Sequence, residues 1–320
     1  IYHIRMREIY GIILKILLLT IMPVIFSTAI YNINQILDLT IFNTIMSAQE
    51  FTEKEYMAMQ GIYTGKYNTL INVPLAMANG LAASVIPSLT AAVAKRDRKL
   101  VHEKIAQTIR FTMVIAIPCF VGFIVLSSPL MVLLLNDEGT TPAMLLALGA
   151  VTVVLYSYST ISNSILQGLD EMGTPAKNAG ISLVVHLIAL LVMLVAFKWN
   201  IYALVGSNIV FSLCMCILNA RAIRSTCGYH QEIDRTFIKP LTAAVIMGIF
   251  TYMAHLLLDL AVGGRFIATT ISILIAVVVY GISVLKLGVL TSKDLKELPQ
   301  GQKIYRICRK YHLLPRQRIF

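Results

Sequence analysis

Residues 179–197 run Ala179-Gly-Ile-Ser182-Leu-Val-Val-His186-Leu-Ile-Ala-Leu-Leu-Val-Met-Leu-Val-Ala-Phe197, with no charge until Lys198. At 1.5 Å per residue such a helix is about 28 Å long, which matches a hydrocarbon core about 30 Å thick. The stretch therefore predicts a membrane span. Its polar side chains, Ser182 and His186, stand four residues apart and so share one helix face.

Seven further stretches meet the same test: Ile12 to Ile45, Tyr67 to Ala92, Ile109 to Leu135, Ala143 to Gln167, Tyr202 to Ala222, Leu241 to Leu260 and Phe266 to Leu287. Helices are expected because an open strand would leave backbone groups unpaired in lipid. The fold class is thus an all-α integral membrane protein, a polytopic bundle of about eight transmembrane helices. Composition agrees. Of 320 residues 57% are hydrophobic and 13% charged, and the mean hydropathy is +0.76; a soluble domain carries about 45–50% apolar and about 25% charged residues.

A net charge of +11 could suggest nucleic acid, but position decides against it. Lys and Arg fall in short clusters between the apolar runs, 23 on one side of the proposed membrane and 4 on the other (Lys54, Lys66, Lys198 and Arg265). That asymmetry puts both ends of the chain in the cytoplasm and the protein in the cell membrane. Membrane lipids are the expected surroundings and nucleic acid is not a partner. Cys119, Cys214, Cys216, Cys227 and Cys308 contain no C-x-x-C pair, so neither a disulfide framework nor a metal site is expected. The chain starts at Ile1 with a basic amphipathic stretch that is no signal peptide, and it reads as a piece of something longer.

The first span is too long to stand upright, because roughly 34 residues would extend about 50 Å. Pro23 and the polar run Tyr31-Asn-Ile-Asn-Gln35 are two places for it to bend or unwind. Pro74, Pro87, Pro118 and Pro129 fall within spans, whereas Pro142, Pro175 and Pro240 sit where helices would begin.

No metalloprotease, phosphate-loop or nucleophile-elbow signature is present, so the chain is not read as an enzyme and needs no cofactor. Energy must come from an ion gradient, H+ or Na+, or from the substrate itself. What stands out is a set of polar stripes at helical spacing. The first span carries Ser27, Tyr31, Asn34 and Asp38, the second Asn68, Asn72 and Asn79, and the fourth Tyr156, Thr160, Asn163 and Gln167. Spans five and six carry Asn178, Ser182 and His186, and Asn208, Ser212 and Asn219. Single amides and hydroxyls of this kind often only glue membrane helices together; stripes on five helices predict a shared polar cavity. Asp38 is read as the acidic residue inside a span, with the other fifteen in loops and tails. A carboxylate there costs about 2.5–3.5 kcal/mol on insertion scales, so Asp38 is the first ion-coupling candidate, with Asn34 one turn away on the same face; His186 is the second, although a lone His among Val and Leu is more often a packing residue.

Gln60-Gly-Ile-Tyr-Thr-Gly-Lys-Tyr-Asn-Thr-Leu-Ile-Asn-Val-Pro-Leu-Ala76, Ser84-Val-Ile-Pro-Ser-Leu89 and Ile165-Leu-Gln-Gly-Leu-Asp-Glu-Met-Gly-Thr-Pro175 resemble the stage V sporulation protein B and polysaccharide biosynthesis family. That family is part of the multidrug, oligosaccharidyl-lipid and polysaccharide (MOP) exporter superfamily. Asp38 falls where members often carry an aspartate in the helix that opens their second half. The resemblance covers most of residues 20 to 220. It implies fourteen helices in two six-helix lobes around a central cavity, plus two additional helices, of which this chain is similar to helices seven to fourteen. Residues 1–222 would then be the second lobe of a MOP-type flippase, 223–289 the additional pair, and 290–320 a basic cytoplasmic tail. The implied task is moving a polyprenyl-linked oligosaccharide or cell-wall precursor across the membrane by alternating access, with the N-terminal lobe as partner. A cation-coupled multidrug exporter of the same superfamily and a membrane-embedded polyprenyl-sugar transferase are the competing readings.

Overall fold

The computed structural model describes residues 21, 22, 25, 29, 30, 32–262, 265–290 and 302. Their regular elements are all helical. Helix α1 covers residues 32–48. It is followed by α2 (Glu53–Gly61), a π-helical turn at Ile62–Tyr67, α3 (Asn68–Ala94), α4 (Arg98–Val125), α5 (Ser127–Leu135) and α6 (Thr140–Gly149). The chain continues through α7 (Val151–Gly168), α8 (Gly173–Val195), α9 (Tyr202–Cys227), α10 (Lys239–Val262) and α11 (Arg265–Lys286). Among the described residues six helical segments are long and apolar enough to cross a membrane, or seven when the bent pair α6 and α7 counts as one. These match expected spans two to eight. The first half of the expected first span, with Pro23 and Ser27, lies largely outside the described residues, as does Tyr31, and α1 holds the rest of that span.

The helices are apolar on the outside as well as within. Val184, Ile188 and Val195 on α8, and Ile249, Leu257 and Leu260 on α10, are exposed, which in water would be an unusually large apolar surface and in a bilayer is the lipid-facing one. Phe42, Met46, Ile105, Met113, Leu146 and Ile161 form the fully buried core inside.

Local chemistry explains where the helices break. Pro129 has no N–H for the Val125 carbonyl, and its ring crowds that oxygen; α4 ends at Val125 and α5 restarts at Ser127, so the expected third span is two helices. The pair α6 and α7 bends by 43°. There the Gly149 carbonyl is taken by the Thr152 hydroxyl at 2.5 Å and the Tyr67 hydroxyl at 3.3 Å, while the Val153 N–H turns to Ala150 at 3.1 Å. Side-chain hydroxyls that capture a helix carbonyl bend the helix in this way. Gly149 also admits the Tyr67 ring, which any Cβ at that position would overlap. Pro142 and Pro175 do sit in the first turns of α6 and α8, where a missing N–H costs nothing; Pro240 does not open a helix, because a π-helical turn at Asp234–Ile238 runs directly into α10.

Two expectations are corrected. Asn32 to Gln35 are helical rather than unwound, and Asn32, Asn34 and Gln35 line a polar cleft from within that helix. Asp38 is not the sole acidic residue in a span: Asp259 lies in the last turn of α10, where its exposed carboxylate is near the membrane surface. Ion pairs join groups that the charge asymmetry puts on one side. Lys66 pairs with Asp137 and Arg265 with Glu138; Arg110 pairs with Glu232 and Lys239 with Asp234.

Candidate functional site

The deepest polar group is a pair. Asp38 on α1 and His186 on α8 are 1% and 0% exposed, and the Asp38 Oδ1 to His186 Nε2 distance is 2.5 Å. On its other side the ring faces the Ser207 carbonyl through Nδ1 at 2.8 Å. A carbonyl can only accept, so Nδ1 carries a hydrogen and donates it. The contact at Nε2 is then the second hydrogen bond of the ring, made to the Asp38 carboxyl. Phe211 closes the space around the ring edge-on, with centroids 5.9 Å apart.

Asn208 on α9 connects this pair to the rest of the polar interior. Its Nδ2 lies 3.0 Å from Asp38 Oδ2, 2.9 Å from the Tyr63 hydroxyl and 2.8 Å from the Leu204 carbonyl. An amide nitrogen has two hydrogens for these three acceptors, so its partners can be exchanged. Asn208 Oδ1 accepts from the Tyr156 hydroxyl at 2.6 Å and, more weakly, from Asn34 Nδ2 at 3.5 Å.

Beyond Asn208 opens a cleft of about 410 Å³. It is walled by α1 through Asn32, Asn34 and Gln35, by α3 through Asn68, Asn72 and Asn79, and by α7 through Tyr156, Thr160, Asn163 and Gln167. Thr152, Ser164, Tyr63 and Tyr67 also line it. The π turn brings those two tyrosines onto the cleft as a stacked pair with ring centroids 5.5 Å apart. Such turns inside helices are frequent at functional sites. Sequence reasoning passed over Tyr63 and Tyr67, since ordinary 3.6-residue counting from Asn68 puts them off its face; the Tyr-x-Gly-x-Tyr spacing was the available signal.

Three residues expected to line the cavity do not. Asn178, Ser182 and Ser212 are buried in the seam between α8 and α9, which pack directly on each other. Asn178 donates to Asn219 at 2.9 Å, and Asn219 in turn donates to Ser162 Oγ at 2.9 Å and Asn163 Oδ1 at 2.8 Å. Ser212 bonds back to the Asn208 carbonyl at 2.8 Å. These side chains face a neighbouring helix, which leaves no room for a ligand. Ser27 and Tyr31 lie outside the described residues.

Where the first turns of α4 meet the segment after α9, another cleft, about 620 Å³, is lined by Lys99, His102, Arg110, Tyr229 and Glu232 among others. Burial and the nearby Glu232 push the Tyr229 hydroxyl up to about 12. The Arg110 guanidinium is buried and bonded to Glu232 at 2.9 Å.

Apolar outer faces, broken spans and an uncharged polar cleft over a buried Asp–His pair define a multi-pass helical membrane protein built around a polar interior. The family is narrower. A profile described as "Lipid II flippase MurJ" matches residues 12–271, and the chain belongs to that family, in line with the resemblance read from its motifs. It is 26% identical over 176 residues to the lipid II flippase MurJ of Bacillus subtilis, covering 53% of this chain and 31% of that protein. It is 24% identical over 226 residues to the probable low-salt glycan biosynthesis flippase Agl15 of Haloferax volcanii, covering 66% and 47%. It is also 22% identical over 312 residues to the uncharacterized membrane protein YabM of Bacillus subtilis, covering 92% and 55%. The chain thus spans about half, or less, of the length of the curated relatives it matches.

Proposed function

We propose that this chain forms the second lobe of a flippase that carries a polyprenyl-linked oligosaccharide or cell-wall precursor across the cytoplasmic membrane by alternating access. The observation that carries the reading is the amide- and hydroxyl-lined cleft inside an otherwise apolar bundle. Polar groups at that depth are expensive unless they serve a path or a partner. The family match and two relatives with flippase in their names support the same reading over drug export or sugar transfer. Residues 1–222 act as the lobe and 223–289 as two additional helices packed on it, with both ends cytoplasmic as the charge asymmetry requires. Alternating access needs a second bundle to rock against this one, and the first lobe is that partner.

In this reading Asp38 and His186 couple transport to an ion. The pair holds a proton between two groups that are out of reach of bulk water, and Asn208 links it to Tyr156 and Tyr63 on the cleft wall. Binding of H+ or Na+ at the pair changes which partners Asn208 can satisfy, and so carries the coupling to the cleft wall. Asp38→Asn is the test, in vesicles containing the chain with its first lobe. Asn keeps the size and hydrogen bonding of the side chain but cannot ionise. Transport is expected to fall by about tenfold or more, the scale of 1.4 kcal/mol in a barrier, with folded protein nearly unchanged. Leu39→Ala, on another face, is the packing control. Normal transport by Asp38→Asn at several pH values would make the pair a structural buttress.

A further inference from the structure

The cleft between α4 and the link after α9 gathers charged and polar side chains that the transport reading does not use. Its α4 wall is one helix face, on which Lys99, His102, Ala106 and Arg110 recur at steps of three and four residues. Tyr229, Glu232 and Arg235 on the link form the facing wall. Gly228 brings the two together. It ends α9 in the left-handed region, with φ +72° and its N–H on the Arg224 carbonyl at 2.9 Å, and so turns the chain back over α4. His102 then ties the walls to each other. Its Nε2 donates to the Cys227 carbonyl at 2.8 Å, and its ring meets Tyr229 edge-on, with centroids 5.7 Å apart.

The usual clustering of cations at one end of membrane helices accounts for Lys99 and Arg235, which are exposed. It does not account for two buried groups. The Arg110 side chain is only 8% exposed, and its fixed charge raises the positive potential of the cleft it lines. The Tyr229 hydroxyl is also buried and donates to no described residue. Because burial pushes its titration up to about 12, it keeps its hydrogen at any physiological pH. An unused buried donor is destabilising, and an acceptor brought by a ligand removes that penalty. The carboxylates on the walls are engaged already, Glu232 with Arg110 and Glu103 with a partner of its own. Lys99 and Arg235, on opposite walls, have no ion-pair partner among the described residues. Two cations and one hydroxyl donor on two walls call for a ligand with several anionic oxygens around one centre. Phosphate has them. Beside Glu232 and just beyond Arg235, Ile233 and Ile238 are 61% and 51% exposed, an apolar surface that suits the acyl chains of a lipid.

The geometry points to a phosphate-binding site in this cleft: Lys99 and Arg235 from the two walls and the Tyr229 hydroxyl hold one phosphate group, and the buried Arg110 adds fixed positive charge. The site is separate from the transport cleft and does not depend on the flippase reading. The phosphate belongs to an anionic lipid headgroup or is free in solution, and the exposed isoleucines favour the lipid. The test is phosphorus NMR of the purified chain in neutral detergent at constant ionic strength, read as line broadening beyond that in protein-free micelles. The probes, each used alone, are dihexanoyl phosphatidylglycerol, dihexanoyl phosphatidylcholine and inorganic phosphate. Phosphatidylglycerol should broaden, and phosphatidylcholine, whose own ammonium offsets its phosphate, should not. Lys99→Gln with Arg235→Gln should weaken the binding by about tenfold or more, and Tyr229→Phe by about fivefold. Lys177→Gln with Lys286→Gln removes the same charge outside the cleft and should change nothing. Without ligand, Tyr229→Phe should melt at or above the temperature of the parent, since its hydroxyl donates to no described residue; lost binding is thereby told apart from lost folding. A response to inorganic phosphate that the same substitutions abolish keeps the site and makes its occupant a soluble phosphate. Equal broadening of the two lipids, a response that survives the substitutions, or silence from all three probes overturns the inference.

Discussion

The seam between α8 and α9 and the wall formed by α3 and α7 are written in the same residue types at the same spacing, yet they end up as different things. Asn178, Ser182 and Asn208, Ser212, Asn219 on one side, and Asn68, Asn72, Asn79 and Tyr156, Thr160, Asn163, Gln167 on the other, are both polar faces of apolar helices. In the seam the amides meet each other. Asn219 alone engages Asn178, Ser162 and Asn163. On the wall Asn72, Asn79 and Gln167 face space, while Asn163 is shared with the seam through Asn219. A stripe therefore fixes where a polar face points around its helix, and the opposite helix decides whether that face becomes glue or a cavity.

The largest effect expected on stability is in the seam. Asn219→Ala strips hydrogen bonds from three buried partners at once, and leaving buried polar groups unsatisfied costs about 1–3 kcal/mol. Thermal denaturation in detergent should show it as the most destabilised of the variants considered. A melt equal to the parent's would mean that the three partners re-pair or are wetted, and that the seam resembles the wall after all.

A smaller effect belongs to the tether between the π turn and the end of α5. The Lys66 hydrogen bond, then the Gly139 N–H, hold the Asp137 carboxyl below its ordinary value of 3.8. A carboxyl lowered on folding contributes stability above its ordinary value and loses that contribution as pH falls through the lowered one. Lys66 is 34% exposed, so solvent screening limits the pair to under about 1 kcal/mol. Asp137→Asn should be slightly less stable than the parent at neutral pH, and the gap should close under acid. A gap that persists at low pH would assign the effect to the Asn side chain rather than to the charge.

The smallest stability effect is on the wall. Asn72→Ala removes an exposed side chain with no described partner, and such changes usually stay within about 0.5 kcal/mol. A loss comparable to that of Asn219→Ala would show Asn72 to be glue.

Much of this was legible in the sequence. Span positions followed from apolar length, helix starts from Pro142 and Pro175, and the α3 and α7 faces from spacing alone. What spacing could not supply is distance across to another helix, so Asn178, Ser182 and Ser212 were grouped with the wall. It also could not anticipate a change of helical pitch. The π turn at Ile62–Tyr67 rotates Tyr63 and Tyr67 onto the cleft, and the 43° bend at Gly149 depends on a tyrosine eighty residues earlier in the chain. His186 was a candidate by residue type alone; its proximity to Asp38, across 148 positions of sequence, gives it a partner that spacing could not show.

The contrast between wall and seam is open to one direct measurement. In a background without the native cysteines, Asn72→Cys and Asn79→Cys are compared with Ser182→Cys and Ser212→Cys for reaction with a small, charged, water-soluble thiol reagent in native membranes. The account predicts rapid labelling at the two wall positions and protection at the two seam positions until the protein is denatured. Protection at all four would make the cleft a dry helix contact, and labelling at all four would make the seam part of the water-filled path; either result contradicts the account.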